Sequence, residues 1–393
     1  MIEWKTCTLS DLGEIVGGAT PSTKDETNYG GDIAWITPKD LSLLKGRYIR
    51  YGERNITEKG LRSCSAQMMP PNSVLFSSRA PIGYVAIASG PVCTNQGFKS
   101  IVPNENTDYM FLYYLLKYKK DAIEAMGSGT TFKEVSGSTM RRIEVRVPTD
   151  KKEQERISSV LSALDAKIEA NDRINDNLQQ QAARIFREWF VTNPETEMWP
   201  LATLNSLTSL ISRGITPKYN DDSTQVVLNQ KCIRDHFIDI SLARKHSPKA
   251  INEKWLKYGD LLINSTGEGT LGRTAQVWFV PENMTVDSHV TIVRPNNQQL
   301  IFYIGLWGLA HEREFEALHT GSTGQTELPR DRVKALELRM PDNDMLTRFN
   351  SVIEPMVSSI IVNQQVNSRL ANIRDSLLPR LMSGEIDVSD INI

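Results

Sequence analysis

One short segment of the sequence comes close to a phosphate-binding motif. Residues 267–274 (GEGTLGRT) follow a strand-like run and carry glycines near the spacing of the loop that cradles nucleotide phosphates. That loop requires a lysine where this chain has Arg273, and a helix where residues 275–280 are typical of a strand. Residues 78–83 of the first half do not repeat the pattern. The sequence therefore argues against nucleotide hydrolysis.

The other residue types that commonly do catalysis form no recognisable site. The five histidines all lie in the second half, without HExxH spacing and without a cysteine at a distance suited to zinc. No serine stands in a GxSxG turn, and no glycine-rich dinucleotide fingerprint is present. We therefore expect a chain that is not an enzyme and that holds no metal and no cofactor of its own.

The spacing of the cysteines and the lengths of the apolar runs favour a cytoplasmic location. Four cysteines lie far apart, which is typical of free buried thiols in a reducing environment. The longest apolar runs, residues 109–116 and 300–309, are too short to span a bilayer, and the first residues do not resemble a signal peptide. We expect a cytoplasmic protein without a membrane partner.

Basic side chains are concentrated in two long loops, although the net charge of the 393 residues is only −2. Residues 45–62 contain six lysines and arginines beside Tyr48 and Tyr51, and residues 231–257 contain seven beside two histidines. Such loops can neutralise phosphates and place guanidinium groups against the edges of bases. For either loop alone, a solvated charged surface is the favoured alternative.

An internal repeat with a period of about 193 residues determines which elements must position these loops. The run LSDL at residues 9–12 returns as LNSL at 204–207, and strand-like residues 74–78 return at 261–265. Helical segments recur at 109–126 and 300–318, each closed by a Gly-Ser pair, followed by IEVRVP at 143–148 and LELRMP at 336–341. We expect two α/β domains of similar fold with different loops.

A long helical segment without glycine follows each half and has a heptad pattern. Asn171 and Asn363 fall at the same central seam position, where a buried polar residue fixes register and orientation; a surface asparagine is the alternative. The seam is predicted to contain Ile157, Val160, Leu164, Asn171, Ile174, Leu178 and Ile185 in the first segment, and Phe349, Val352, Met356, Asn363, Val366, Leu370, Ile373 and Leu377 in the second.

Apolar residues beside this seam widen the stripe of each helix. They are Leu161 and Ile168 in the first segment and Ile353, Ile360 and Ile361 in the second. We expect them to pack against helices of partner proteins in a larger bundle. Packing against the chain's own globular halves is the alternative.

The order of these features resembles the specificity (S) subunit of type I restriction-modification enzymes. The phrases that carry the resemblance include LSDLGEIVGGATPS at residues 9–22, SVLFSSRAPIGYVAI at 73–87, QERISSVLSALDAKIEANDRI at 154–174, YGDLLINSTGEGTLGR at 258–273, GSTGQTELP at 321–329 and LLPRLMSGEI at 377–386. Each phrase alone is weakly specific, but together they extend over residues 9–386.

The resemblance implies an α+β fold with two similar target-recognition domains, separated by two long antiparallel coiled-coil helices in a pseudo-twofold repeat. It places the first recognition domain at residues 1–150, the first spacer helix and a linker at 151–197, the second recognition domain at 198–341, and the second spacer helix and a C-terminal tail at 342–393. It further implies a non-catalytic subunit that reads a bipartite, asymmetric sequence in double-stranded DNA.

The same resemblance implies partners that carry the chemistry. Two methyltransferase (M) subunits would methylate adenine with S-adenosylmethionine, and restriction (R) subunits would use ATP and magnesium. The candidate DNA contacts are polar and basic positions in the loops and after the strands: Thr37, Lys39, Arg47, Arg50, Ser78, Arg79 and Lys133, and Asn229, Lys231, Arg244, Lys245, Ser265, Arg273 and Gln325. Arg79 and Arg273 rank first, because they occupy comparable loops after a strand. Contact with phosphate alone is the alternative for each residue.

Two other functional classes remain as alternatives. A coiled-coil adaptor that joins proteins without touching DNA would share the repeat, and salt-dependent binding of duplex DNA distinguishes it from a DNA reader. A self-sufficient nuclease or methyltransferase is disfavoured by the missing motifs.

Overall fold

The computed structural model describes residues 2–79, 81–129, 133–321 and 326–388. The chain forms two compact units. Unit 1 contains residues 1–171 and 366–393, and unit 2 contains residues 172–365. Compactness therefore assigns a part of each long helix to each unit, and the domain boundaries expected from the sequence stay a prediction. Within the described residues, no helix is both long and apolar enough to cross a membrane.

Unit 1 is built on a five-stranded sheet with the strand order β2-β9-β6-β7-β5. Its strands are β1 (Trp4–Thr8), β2 (Gly13–Gly17), β3 (Tyr29–Ile33), β4 (Trp35–Ile36), β5 (Tyr48–Ile49), β6 (Val74–Phe76), β7 (Val85–Ala88), β8 (Cys93–Thr94), β9 (Lys99–Pro103) and β10 (Glu144–Pro148). Its short helices are α1 (Leu9–Leu12), α2 (Pro38–Ser42), α3 (Glu58–Arg62) and α5 (Gly137–Arg141), and its longer one is α4 (Tyr109–Ala125). Strand β1 pairs with β10 and strand β4 with β8.

The core of unit 1 forms where helix α4 covers the sheet. Asp108 caps this helix by accepting a hydrogen bond from the Phe111 amide at 2.7 Å, and the apolar residues of its first two turns are buried. Phe76 of the central strand packs in the same cluster, which also contains Leu381 and Met382 from the end of the chain. The C-terminal residues are therefore part of the first core.

Unit 2 repeats this arrangement with the strand order β12-β20-β17-β18. Its strands are β11 (Leu201–Thr203), β12 (Thr208–Arg213), β13 (Val226–Leu228), β14 (Ile233–Arg234), β15 (Phe237–Ile238), β16 (Arg244–Lys245), β17 (Leu261–Asn264), β18 (Thr274–Gln276), β19 (Met284–Val286), β20 (Val290–Pro295) and β21 (Glu337–Arg339). Helices α7 (Ile301–Ala310), α8 (Glu312–Ala317) and α9 (Arg330–Lys334) correspond to α4 and α5.

The strand pairing confirms the repeat at the level of single residues. In unit 1, Trp35 pairs with Cys93 in a parallel ladder, and in unit 2 Val227 pairs with Thr285 in another. Both partners lie 192 residues further along the chain in unit 2. The predicted fold class, a mixed helix and sheet architecture with an internal repeat, is confirmed. The two units differ in the connections, because unit 2 has the extra strands β14–β16 and several 3₁₀ turns where unit 1 has α2 and α3.

A glycine at the end of the first strand of each sheet lets two chain segments approach closely. A Cβ atom at Gly18 would lie 2.0 Å from the carbonyl oxygen of Asn95, and one at Gly214 would lie 1.9 Å from that of Val286. Both distances are far below van der Waals contact. The recurring glycine of the sequence repeat is therefore required by a close approach of the backbone.

The long helices are α6 (Lys151–Phe190) and α10 (Asn343–Ser383), and asparagine pairs join them in each unit. In unit 1, Asn171 Nδ2 donates to Asn367 Oδ1 at 2.7 Å. In unit 2, Asn363 Nδ2 donates to Asn175 Oδ1 at 2.8 Å. Each central asparagine of the predicted seam therefore binds an asparagine four residues beyond the repeat-related position on the other helix. Within each unit the two helix segments run antiparallel.

Three of the five residues predicted at the second seam position are contradicted by their exposure. Ile174 and Ile373 are both 47% exposed and Val352 is 36% exposed, whereas Leu161 and Ile353 are fully buried. The remaining predicted seam residues are buried or partly buried, among them Ile157, Val160, Leu164, Leu178, Ile185, Phe349, Met356, Val366, Leu370 and Leu377. The heptad register was ambiguous because apolar residues are adjacent, as in Val160 with Leu161 and Val352 with Ile353. The apolar stripe that packs lies one residue after the predicted second seam position.

The expectation that the apolar residues beside the seam meet partner helices is also corrected. Leu161 lies in the core cluster of unit 1, and Ile353 and Ile360 lie in that of unit 2, with Ile361 packed against it. Their apolar surface is used within the chain's own globular units, which is the alternative that the sequence left open.

Candidate nucleic-acid interface

Two candidate contacts at the start of short helices are repeat-related. Thr37 caps α2, where its hydroxyl donates to Asp40 Oδ2 at 2.6 Å. In unit 2, Asn229 Oδ1 accepts from the Lys231 amide at 2.8 Å. Both side chains thus have a local role in starting a turn. The lysines that follow, Lys39 and Lys231, are exposed on that first turn.

Unit 1 exposes arginines next to aromatic rings in the loop after β5. Arg50 lies over the ring of Tyr51, with its guanidinium carbon 5.5 Å from the centroid, and Tyr51 is about half exposed. Arg54 lies 4.1 Å from the centroid of Tyr29. A guanidinium held against a ring offers positive charge for phosphate and a flat face for bases. Lys39 Nζ lies 2.6 Å from Glu53 Oε2 of the same loop in an exposed ion pair.

Unit 2 has a similar pair on a different element. Arg244 lies in the edge strand β16, with its guanidinium carbon 3.4 Å from the centroid of Tyr219. The neighbouring Lys245 and Phe237 are also exposed. The same side-chain chemistry therefore occurs in both units, but on loops of different construction.

A glutamate that sequence reasoning missed lies at the same place in both units. Glu134 is 3.4 Å from Lys99 and 3.9 Å from Arg79, and Glu327 is 2.8 Å from Arg213. The two glutamates are 193 residues apart, so the repeat period alone could have identified them.

The cation that faces this glutamate comes from β9 in unit 1 and from β12, the counterpart of β2, in unit 2. Lys99 stands opposite Gly17 in the β2–β9 ladder, and Arg213 stands opposite Thr291 in the equivalent ladder of unit 2. In each unit, one of the two paired positions is a cation and the other is an uncharged residue: Lys99 with Gly17 in unit 1, and Arg213 with Thr291 in unit 2.

The highest-ranked candidates are both partly engaged within the chain. Arg79 is part of the cluster around Glu134, and Arg273 donates to the carbonyl oxygen of Gly269 at 2.7 Å. Lys133 is exposed beside Glu134. Gln325 lies outside the described residues.

Three candidate contacts are corrected by their burial. Arg47 is 6% exposed and is bound to the first long helix. Ser78 and Ser265 are fully buried, and the backbone amide of each donates to a residue just before β9 or β20: Ser78 to the carbonyl oxygen of Gly97 at 2.7 Å, and Ser265 to that of His289 at 2.8 Å. They hold strand ends together and are not exposed to a ligand in this structure. Because Ser78 and Ser265 each follow a strand, the sequence predicted that they would be exposed. In the structure another segment of the chain covers them.

Two buried cysteine thiols of the described ranges have raised pKa values. Burial raises the pKa of the Cys93 thiol to about 12 and that of Cys232 to about 11, so both stay protonated in their cores. No group of three or more His, Cys, Asp or Glu side chains able to hold a metal ion occurs among the residues that the structure describes.

Comparison with known proteins shows which class of protein has these repeated mixed domains and two long helices. The family model of the type I restriction modification DNA specificity domain matches residues 1–180. The MjaIX specificity subunit of Methanocaldococcus jannaschii is 33% identical over 99% of this chain and 95% of its own length. The EcoR124I/EcoR124II specificity subunit of Escherichia coli is 30% identical over 42% of this chain and 41% of its own length.

A solved structure shares the fold. The crystal structure of the type I S subunit from M. genitalium has a TM-score of 0.56 and 16% sequence identity, covering 97% of this chain and 96% of that one. The chain belongs to the family of type I restriction enzyme specificity subunits. Its role is DNA sequence specificity, it is not the catalytic subunit, and the adaptor alternative finds no support.

Proposed function

We propose that the chain reads a bipartite, asymmetric DNA sequence, with unit 1 contacting one half-site and unit 2 the other. One observation carries the proposal: the four-strand order β12-β20-β17-β18 of unit 2 matches β2-β9-β6-β7 of unit 1, to which unit 1 adds β5, and the exposed cation–aromatic pairs of the two units lie on loops of different construction. Similar frames support two related modes of docking, and different loops present different donors to the bases. The two half-sites are therefore expected to differ in sequence.

Arg50 and Tyr51 in unit 1, and Arg244 and Lys245 in unit 2, are the side chains that this proposal uses first. They are exposed, basic or aromatic, and free of the burial that removes Arg47. Guanidinium groups can bind guanine bidentately or neutralise phosphate, and the aromatic neighbours restrict their orientation. Arg79, Arg273, Lys133 and Lys231 remain candidates for phosphate contact.

Type I specificity subunits work with methyltransferase and restriction subunits, and the finer composition is part of the proposal. Two methyltransferase subunits would bind one specificity chain, consistent with its internal repeat. S-adenosylmethionine, ATP and magnesium would be used by those partners. A cytoplasmic location is proposed with them, since the DNA substrate and the partners meet there.

Mapping of methylated adenine tests the proposal directly. The chain is produced with its methyltransferase partner in a host that lacks adenine methylation, and the modified sites are sequenced. A bipartite motif with two different halves, absent without the chain, is the expected result. A continuous or symmetric motif, or no motif that depends on the chain, would contradict it.

Single substitutions then assign the halves. Arg50→Ala is expected to relax or abolish one half of the motif, and Arg244→Ala the other half. Arg369→Ala, which removes an exposed arginine of α10, serves as the matched control. An equal effect of all three on both halves would contradict the assignment.

A further inference from the structure

A buried cluster of charges attaches residues 45–62, the first recognition loop, to the first long helix α6 within unit 1. The guanidinium group of Arg47 binds Glu169 twice, with Nε donating to Oε1 at 2.9 Å and Nη2 donating to Oε2 at 3.2 Å. Its Nη1 donates to Ser162 Oγ at 2.8 Å. Such a bidentate contact fixes the orientation of the guanidinium group as well as its distance.

The cluster continues to the second long helix through a tyrosine and an aspartate. The Tyr114 hydroxyl lies 3.4 Å from Arg47 Nη1 and donates to Asp165 Oδ2 at 2.6 Å. Arg374 of α10 donates to Asp165 Oδ1 at 2.6 Å. Burial, and then the charge of Asp165, raise the pKa of Tyr114, so its phenol keeps the proton that it donates. Two arginines and two carboxylates thus lie in one chain of contacts.

Arg47 is close in sequence to the exposed side chains of the loop. It stands three residues before Arg50, and its carbonyl oxygen accepts from the Ile87 amide at 2.8 Å, where β5 joins the sheet. Only the two-residue strand β5, which is paired with β7, separates Arg47 from Arg50 and Tyr51. The cluster fixes where this loop lies on the helices.

In unit 2, apolar residues occupy the positions equivalent to three residues of this cluster. The shared fold therefore does not require the cluster. The residues 192 positions after Tyr114, Asp165 and Glu169 are Leu306, Val357 and Ile361, and they pack in the apolar core of unit 2. In that unit, neutral hydrogen bonds join the long helices to connecting segments, for example from Gln179 Nε2 to the carbonyl oxygen of His236 at 3.0 Å and from Asn350 Nδ2 to that of Gln299 at 2.9 Å.

Buried ion pairs contribute little net stability compared with apolar residues of similar volume, and their best-supported use is to fix one arrangement among several. We propose that the contact of Arg47 with Glu169 is a positioning device that sets the first recognition loop against the spacer helix and so determines the specificity of the first half-site. The inference rests on the proposed reading of two half-sites. Arg47 acts through the loop and does not touch DNA.

The test uses the complete complex of this chain with its methyltransferase partner and a double variant that imitates the apolar helix surface of unit 2. Arg47→Met combined with Glu169→Ile removes both charges and keeps apolar volume, so thermal stability is expected to stay close to that of the natural chain. The same type of replacement at the exposed pair Arg380 and Glu385, which lie 2.6 Å apart, is the matched control.

Methylation kinetics are measured on four duplexes: the mapped motif, one with a base change in the first half-site, one with a change in the second, and one with the spacer altered by one base pair. The ratio of kcat/KM between the mapped motif and the first-half or spacer change is expected to fall roughly tenfold in the double variant, about the discrimination of a single base contact. The second-half ratio and the control variant are expected to be unchanged.

Unchanged ratios in a folded double variant would overturn the inference, and so would an equal loss for both half-sites. If the double variant does not fold, Arg47→Lys, which keeps the charge and loses the bidentate contact, is measured by the same ratios with the same outcomes. A natural complex without sequence-dependent methylation would refute the proposed function itself, and that result is visible before any variant is made.

Discussion

Replacement of Gly18 by alanine tests the reasoning about the close approach at the end of β2. The new Cβ atom would lie 2.0 Å from the Asn95 carbonyl oxygen and 2.3 Å from that of Thr94. Because contacts shorter than 3.0 Å do not occur at Cβ atoms, the two segments must separate by roughly 1 Å. Overpacking of this kind destabilises by about 1–3 kcal/mol.

The neighbouring Gly17 gives the matched control, since a Cβ atom there meets nothing within 4 Å. Alanine at that position restricts the unfolded chain and is expected to stabilise by about 0.4–1 kcal/mol. The two variants should therefore differ by about 1.5–4 kcal/mol in the free energy of unfolding, although they change adjacent residues, the last of β2 and the one that follows it.

Urea unfolding measures the difference, and hydrogen exchange of peptides from residues 13–22 and 93–97 places it in unit 1. The midpoint of Gly18→Ala should fall and exchange should accelerate in these peptides, without acceleration in unit 2. Equal midpoints for the two variants would refute the argument. Gly214→Ala, with a Cβ atom 1.9 Å from the Val286 carbonyl oxygen, should reproduce the loss in unit 2.

Three further outcomes are expected. Asn171→Leu should destabilise by about 1–3 kcal/mol, because the Asn367 amide loses a hydrogen bond, and Asn367→Leu in addition should recover most of it in a double-mutant cycle. Cys93 and Cys232 should resist alkylation at pH 8 until urea unfolds the chain. Because burial raises their pKa values from 9.0 to about 12 and about 11, the stability linked to the neutral thiols is fully present below pH 9 and is lost as pH rises through about 11 for Cys232 and about 12 for Cys93. Lys245→Ala should reduce the slope of DNA affinity against salt by about one, measured by fluorescence anisotropy.

Periodicity and repetition predicted the parts of the fold that depend on neighbours in sequence. Segments that recur in both halves with the same apolar spacing form equivalent ladders in the two units. Trp35 pairs with Cys93 in unit 1, and Val227 pairs with Thr285 in unit 2. The heptads predicted two long helices and a polar seam position at Asn171 and Asn363. These features need only local propensity and a constant offset.

The errors arose where distant segments decide the environment. Arg47 has the composition of a DNA-contacting residue, and only its contacts with Ser162 and Glu169, more than 100 residues away, make it structural. Val160 and Leu161 are both apolar, so the sequence could not distinguish which of them faces the seam. Glu134 and Glu327 could have been predicted from the sequence, because the repeat aligns them 193 residues apart.

The assignment of residues 366–393 to unit 1 has a consequence for synthesis. Leu381, Met382 and Val388 are buried in the unit 1 core, although the rest of that unit ends at residue 171. At about 5–20 residues per second, the ribosome adds the intervening segment over roughly 10–40 s. During this interval the first core exposes an apolar surface that its own C-terminus must later cover, whereas unit 2 is contiguous and can close first. Unit 1 is therefore expected to complete its core after unit 2, although most of its residues are synthesised before those of unit 2.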